Sequence, residues 1–285
     1  MMIGCYERLR VMFKIFISNS SFSLVAAFLN LISTMIIIRW FGLEIFGYFS
    51  VLQAWLAVAT LVFSLIPASY AVFQLQDDER SSELIFGVYI VSLIIVLTLG
   101  ICFFYLFKNL IPFKISLVWI LIYFFSFFLV RCSDILSQAR GNLTPYYKAL
   151  SLQAILKLML LGIILYFGYE RNINGLLAVM SLSQLTAFVL QICRCRVLRF
   201  GSRPKPLMGL RYIFCNISTI KQYYLEIGLK KFKENSPVIM LATFVDAASV
   251  GVFSLVHKVA ALVLSQLRIF EAMLMNRSNL EASSA

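Results

Sequence analysis

Runs of about twenty apolar residues, parted by short polar intervals, follow one another along the chain at 18–38, 46–73, 84–107, 115–132, 149–168, 175–193, 223–245 and 251–270. A helix rises about 1.5 Å per residue, so most of these runs can cross a hydrocarbon layer of about 30 Å. The runs are unbroken rather than alternating, which is the pattern of membrane helices and not of barrel strands. The pattern therefore predicts an all-α, polytopic membrane protein with about eight transmembrane helices. The first apolar stretch, 13–38, is too long for the core of a secretory signal, so no cleavage is expected. Gln74 to Glu83, Ser133 to Lys148 and Glu170 to Asn174 read as loops, and no loop is large enough to form a domain.

Composition excludes a soluble domain. Of 285 residues, 61% are hydrophobic and 13% charged, and mean hydropathy is +0.89. So few charges cannot supply the polar shell that such a core would need in water. The net charge of +12 marks loops rather than a nucleic-acid partner. With the N-terminus inside, sixteen Lys and Arg fall on the inner side and four (Arg39, Lys108, Lys114, Arg171) on the outer. That bias places both termini in the cytoplasm.

The most basic interval, 194–222, contains Pro204, Pro206, Gly201 and Gly209 and reads as a cytoplasmic linker. It is either solvated beside anionic lipid or a docking site for a cytosolic partner. Six cysteines include no Cys-x-x-Cys pair, and Cys193 and Cys195 have no nearby His, so no metal or cofactor is expected.

Gly47-Tyr48-Phe49-Ser50 and Gly251-Val252-Phe253-Ser254 are both Gly-x-Phe-Ser, 204 residues apart, each just after an outer turn. In that register the seventh run corresponds to the first and the eighth to the second, so six spans form one repeat. The domains expected are thus 1–193, a first six-helix bundle; 194–222, the linker; and 223–285, the first two helices of a second bundle with a short tail. Two explanations follow: a gene product cut short, or an eight-span protein that pairs with itself or with another chain.

The segment from Arg39 to Ser50, with Gly42, Gly47 and Ser50, resembles the outer turn after the first helix of bacterial polysaccharide exporters of the Wzx type. Asp246 to Lys258, with Gly251 and Ser254, resembles the matching turn before their eighth helix. The resemblance implies an O-antigen or related flippase of the multidrug, oligosaccharidyl-lipid and polysaccharide exporter superfamily. Such a protein moves an undecaprenyl-diphosphate-linked oligosaccharide across the bacterial inner membrane. It implies as partners the bilayer, the lipid-linked sugar, and other polysaccharide-assembly membrane proteins or a second copy. A non-transporting remnant or accessory subunit and a multidrug antiporter are the other readings.

Ionisable side chains at membrane depth cost about 2.5–3.5 kcal/mol each and are functional candidates. Lys157 lies inside the fifth run, and Lys258 with the single His257 inside the eighth. In the seventh run Glu226, Lys230, Lys233 and Pro237 fall within about 60° of one another around a helix. These residues either wall a watery cavity where cations hold a diphosphate, or belong to an interfacial segment whose lysines snorkel. Pro67 and Pro237 are expected to kink their helices. Phe103, Phe104, Tyr105, Phe124, Phe125, Phe127 and Phe128 are expected to face lipid. No paired carboxylates, nucleophile with a base, or phosphate loop is present, so an enzyme is not expected.

Overall fold

The computed structural model describes residues 2–63, 70, 87–95, 97–98, 101, 116–139, 143–167, 172–195 and 205–282. Half of the third run, Pro67, the loop 74–83 and Phe103 to Tyr105 lie outside these. Every regular element among the described residues is helical: α1 (Met2–Phe41), α2 (Leu43–Phe63), α3 (Leu117–Ala139), α4 (Leu143–Tyr166), α5 (Ile173–Cys195), α6 (Pro206–Cys215), α7 (Ile217–Phe244) and α8 (Ala247–Ala282). The helices outrun the apolar runs because a helix has no reason to stop at a membrane boundary; it stops at a breaker or a cap. Gly42 is such a breaker, ending α1 in the left-handed region at φ 91°. Asn172 caps α5 by accepting the Gly175 N–H at 2.8 Å.

Among the described residues six helices are long and apolar enough to cross a membrane, over Ile17–Phe41, Leu43–Thr60, Leu117–Asp134, Tyr146–Tyr166, Ile173–Gln191 and Ala247–Leu264. The count of about eight is reached only in part. Only half of the third run is described, and α7 is too polar, carrying Lys221, Glu226, Lys230, Lys231, Lys233 and Glu234. Large apolar side chains such as Phe28, Val118, Met159 and Val189 stand exposed on the outside of the bundle, where lipid rather than water suits them.

The 204-residue register holds in three dimensions. Helix α2 begins at Leu43 and α8 at Ala247. The Phe46 N–H donates to the Gly42 carbonyl at 3.2 Å, and the Val250 N–H to the Asp246 carbonyl at 3.2 Å. The glycines of the two motifs meet each other. A Cβ on Gly47 would overlap the Ala247 carbonyl oxygen outright, and one on Gly251 would lie 2.5 Å from the Leu43 carbonyl oxygen. Ala247 and Leu43 are themselves 204 residues apart, so the contact is reciprocal: two hairpins, α1–α2 and α7–α8, cross through equivalent backbone. Glycine is required here for close approach rather than for its φ.

The largest core joins Ile37 and Phe41 of α1, Phe46, Phe49 and Leu56 of α2, Tyr123 of α3, Leu161 of α4 and Leu176, Leu177 and Met180 of α5. Helices α3 and α5 run parallel and are keyed by polar pairs of constant offset. The Ser116 N–H donates to Asn174 Oδ1 at 2.9 Å, Ser126 Oγ to Gln184 Oε1 at 2.8 Å, and Ser133 Oγ to Gln191 Oε1. Gln191 Nε2 in turn donates to the buried Asp134 at 3.0 Å.

Two expectations change. Phe128 does not face lipid: it is buried in a second core with Tyr70, Val88, Tyr89, Cys132 and Ile220. In an all-apolar stretch no periodicity separates the lipid face from the packed one. Of the interval 194–222, residues 206–215 form α6 and α7 starts at Ile217, because Tyr212, Ile213 and Ile220 pack against that second core. Pro237 sits inside a continuous α7.

Candidate functional site

Five helices line a cavity of about 250 Å³ with a mixture of polar and apolar side chains. The contributors recur at helical spacing: Asn30, Thr34 and Ile37 on α1; Phe46, Phe49 and Gln53 on α2; Gln153 and Lys157 on α4. Met180, Ser183 and Gln184 of α5 and Lys258 of α8 close it. The α2–α8 glycine crossing at Gly47 and Gly251 lies just toward the Leu43 end of this cavity, so on that side α2 and α8 leave no space between them.

The two lysines are each oriented by one amide. Lys157 Nζ donates to Asn30 Oδ1, whose own backbone carbonyl accepts Thr34 Oγ1 at 2.9 Å. Lys258 Nζ donates to Gln53 Oε1 at 3.2 Å and sits over the Phe46 and Phe49 rings, 4.7 and 6.0 Å from their centroids. Gln53 is held from behind, since its Nε2 donates to the buried Tyr123 hydroxyl at 3.2 Å. An ammonium group carries three N–H donors, so each lysine retains capacity for a ligand beyond its amide partner.

Among the described residues no Asp or Glu lines the cavity. Asp134, the carboxylate buried between α3 and α5, is engaged by Gln191 and is not among the lining residues. Two ammonium groups thus share one recess halfway along apolar helices, with neutral amides and hydroxyls for neighbours. Such a site favours an anion: charge-assisted N–H donors are fixed in place, and no carboxylate among the described lining residues competes.

Of the residues singled out in the sequence, Lys157 and Lys258 come together here. Glu226, Lys230 and Lys233 do not: all three are exposed on α7 and outside the cavity lining. On the same helix Lys231 and Glu234 form an ion pair at 2.8 Å. His257 points away and stacks on Phe253 with centroids 6.0 Å apart. Of the turn motif, Gly42 makes the α1–α2 turn and Gly47 and Gly251 make the crossing. Ser50 and Ser254 are buried, their hydroxyls without a hydrogen-bond partner among the described residues. Asn30, Gln53, Gln153 and Gln184 line the cavity as well, beyond the charged residues that stand out in the sequence. Their signal was available, because an amide in the middle of an apolar run is also costly unless it has a partner.

Outside the spans, Asp246 starts the α8 turn. Ser249 Oγ donates to Asp246 Oδ1 at 2.6 Å and the Ser249 N–H to Oδ2 at 3.4 Å. These bonds to the charged form hold its carboxyl below the usual value.

In comparisons with known proteins, no family model, no curated protein and no solved structure matches this chain.

Proposed function

We propose that the chain belongs to a flippase or exporter that moves a polyprenyl-diphosphate-linked oligosaccharide across the bacterial inner membrane, with both termini in the cytoplasm. The observation that carries this reading is the cavity shared by Lys157 and Lys258 with no carboxylate among the described lining residues. A diphosphate is an anion that must leave water to cross a bilayer, and two fixed ammonium groups at mid-span replace part of its hydration. The amides and hydroxyls of Asn30, Gln53, Gln153 and Ser183 suit a polar headgroup, while the lipid tail stays outside in the bilayer. A multidrug antiporter fits less well, because organic cations would meet two like charges and no acid. An accessory membrane subunit is favoured by one observation, the exposed row Glu226, Lys230 and Lys233 on α7, which suits contact with another polypeptide.

The test is binding of a polyprenyl diphosphate to the purified chain in nanodiscs, paired with export in a flippase-deficient strain. Loss of one charged hydrogen-bonding partner costs about 1.5–3 kcal/mol, so Lys157→Gln and Lys258→Gln should each weaken binding by roughly 10- to 100-fold. Lys230→Gln should leave it near the parent value. Equal affinity in the parent and both cavity variants would remove the cavity from the path. Binding without export would point to the accessory role.

A further inference from the structure

Helix α6 uses one face to dock and shows the other. Tyr212 and Ile213 pack against the second core, and the Tyr212 hydroxyl is 2.8 Å from that of Tyr70. That core includes Phe128 and Cys132, near the end of the α3 span at Asp134, so α6 sits at one end of the helical bundle. The other face is apolar yet open: Leu207 is 82% exposed, Phe214 72%, Met208 59% and Ile217 56%. At 100° per residue Leu207 and Phe214 lie about 20° apart, with Arg211 about 40° from Leu207 and Tyr212 about 140° away. Leu207 and Phe214 are therefore opposite the docked Tyr212, with Arg211 beside them and Met208 on the flank, about 100° from Leu207.

The chemistry of the surroundings selects the occupant. Residues 194–225 contain seven Lys and Arg and no Asp or Glu. A helix with large apolar groups on its free face, in an acid-free basic stretch and at the end of membrane spans, matches the headgroup and acyl boundary of a leaflet rich in anionic lipid. We propose that α6 and the first turn of α7 form an interfacial anchor that lays Leu207, Met208, Phe214 and Ile217 into an anionic bilayer surface. The anchor rests on the spans crossing a membrane and not on what the cavity carries. It fixes the depth of the segment that joins α5 to α7.

The experiment uses the full chain in nanodiscs of phosphatidylglycerol with phosphatidylethanolamine, or of phosphatidylcholine alone, each containing acyl-brominated lipid. With Trp40, Trp55 and Trp119 changed to Phe, Phe214→Trp serves as reporter on the free face and Tyr212→Trp on the docked face. Blue-shifted emission strongly quenched by brominated lipid is expected for Phe214→Trp in anionic nanodiscs. Weaker quenching is expected in phosphatidylcholine, for Tyr212→Trp, and after Arg211→Glu with Lys221→Glu. Quenching no greater for Phe214→Trp than for Tyr212→Trp would overturn the proposal, as would quenching indifferent to lipid charge. Blue-shifted emission without quenching would assign the face to a protein partner and overturn it too. Amide hydrogen exchange across 206–220 of the unaltered chain is an independent measure. Slower exchange in anionic than in zwitterionic nanodiscs supports the anchor, and equal exchange counts against it.

Discussion

The four glycines whose surroundings are described form a graded test of the α2–α8 crossing. At Gly47 a methyl group would overlap the Ala247 carbonyl oxygen, and at Gly251 it would lie 2.5 Å from the Leu43 oxygen, against about 3.4 Å for ordinary contact. The neighbour at Gly251 must therefore retreat by 3.4 − 2.5, about 0.9 Å, and at Gly47 by more. The obstacle in both cases is helix backbone, which moves only by parting the two helices. Overpacking of this kind costs about 1–3 kcal/mol, with Gly47→Ala at or beyond the upper end. Gly42→Ala meets no atom within 4 Å and loses only about 1–2 kcal/mol to its left-handed backbone. Gly162→Ala, in open space inside α4, should gain up to about 1 kcal/mol of helix propensity. Thermal unfolding of the four variants in one detergent, by circular dichroism, should rank them Gly162, Gly42, Gly251, Gly47 from most to least stable. Once one methyl has parted the helices the second finds room, so the Gly47→Ala/Gly251→Ala double variant should lose less than the sum. A Gly47→Ala protein as stable as Gly162→Ala would refute the close crossing.

Other outcomes follow from single contacts. Gln191→Leu takes the amide donor from buried Asp134 and should destabilise by about 1–3 kcal/mol in a denaturant titration, with Gln191→Glu at least as harmful. Asp246 has its carboxyl held below the ordinary 3.8 by Ser249, so its contribution is present above pH ~4 and lost as pH falls through the lower folded value. Asp246→Asn and Ser249→Ala should each flatten that acid limb in a melting-temperature series from pH 6 to 3. Cysteine placed at Gln153, a lining residue that leaves both lysines in place, should react with a small water-soluble thiol reagent and be protected by diphosphate, whereas Lys230→Cys should react with no protection. Reaction at 153 indifferent to diphosphate would separate the cavity from the ligand.

Much of this was legible in the chain. The apolar runs located the spans of α1, α2, α3, α4, α5 and α8, because in lipid a spanning segment must satisfy its own backbone. The Gly-x-Phe-Ser repeat located the crossing, although what the repeat encodes is a meeting of Gly47 with Ala247 and of Gly251 with Leu43, which spacing alone does not say. Lys157 and Lys258 stood out because a lone cation in an apolar run is conspicuous; Gln53 and Asn30, which orient them, did not. Charge also misdirected. Glu226, Lys230 and Lys233 fall on one face of α7, but a face points at a cavity only if other helices enclose it, and here it is exposed. Tertiary packing likewise decided Phe128 and α6, since an aromatic in a fully apolar stretch and a helix in a basic stretch each have two environments open to them.

The seam between α3 and α5 has a mechanical consequence. Its bonds Ser116 to Asn174, Ser126 to Gln184 and Ser133 to Gln191 share an offset of 58 residues. Sliding one helix past the other by a single turn would break all of them together and strand Asp134 as well, and each buried group left orphaned costs about 1–3 kcal/mol. Helices tied at several depths in one register behave as a splined shaft: they can tilt or swing as a pair but cannot slip. Motion that opens or narrows the lysine cavity must therefore pass around this pair, through neighbours such as α2, which among the described residues is tied to it by the single Gln53 to Tyr123 bond and otherwise packs on it through apolar surfaces that can glide.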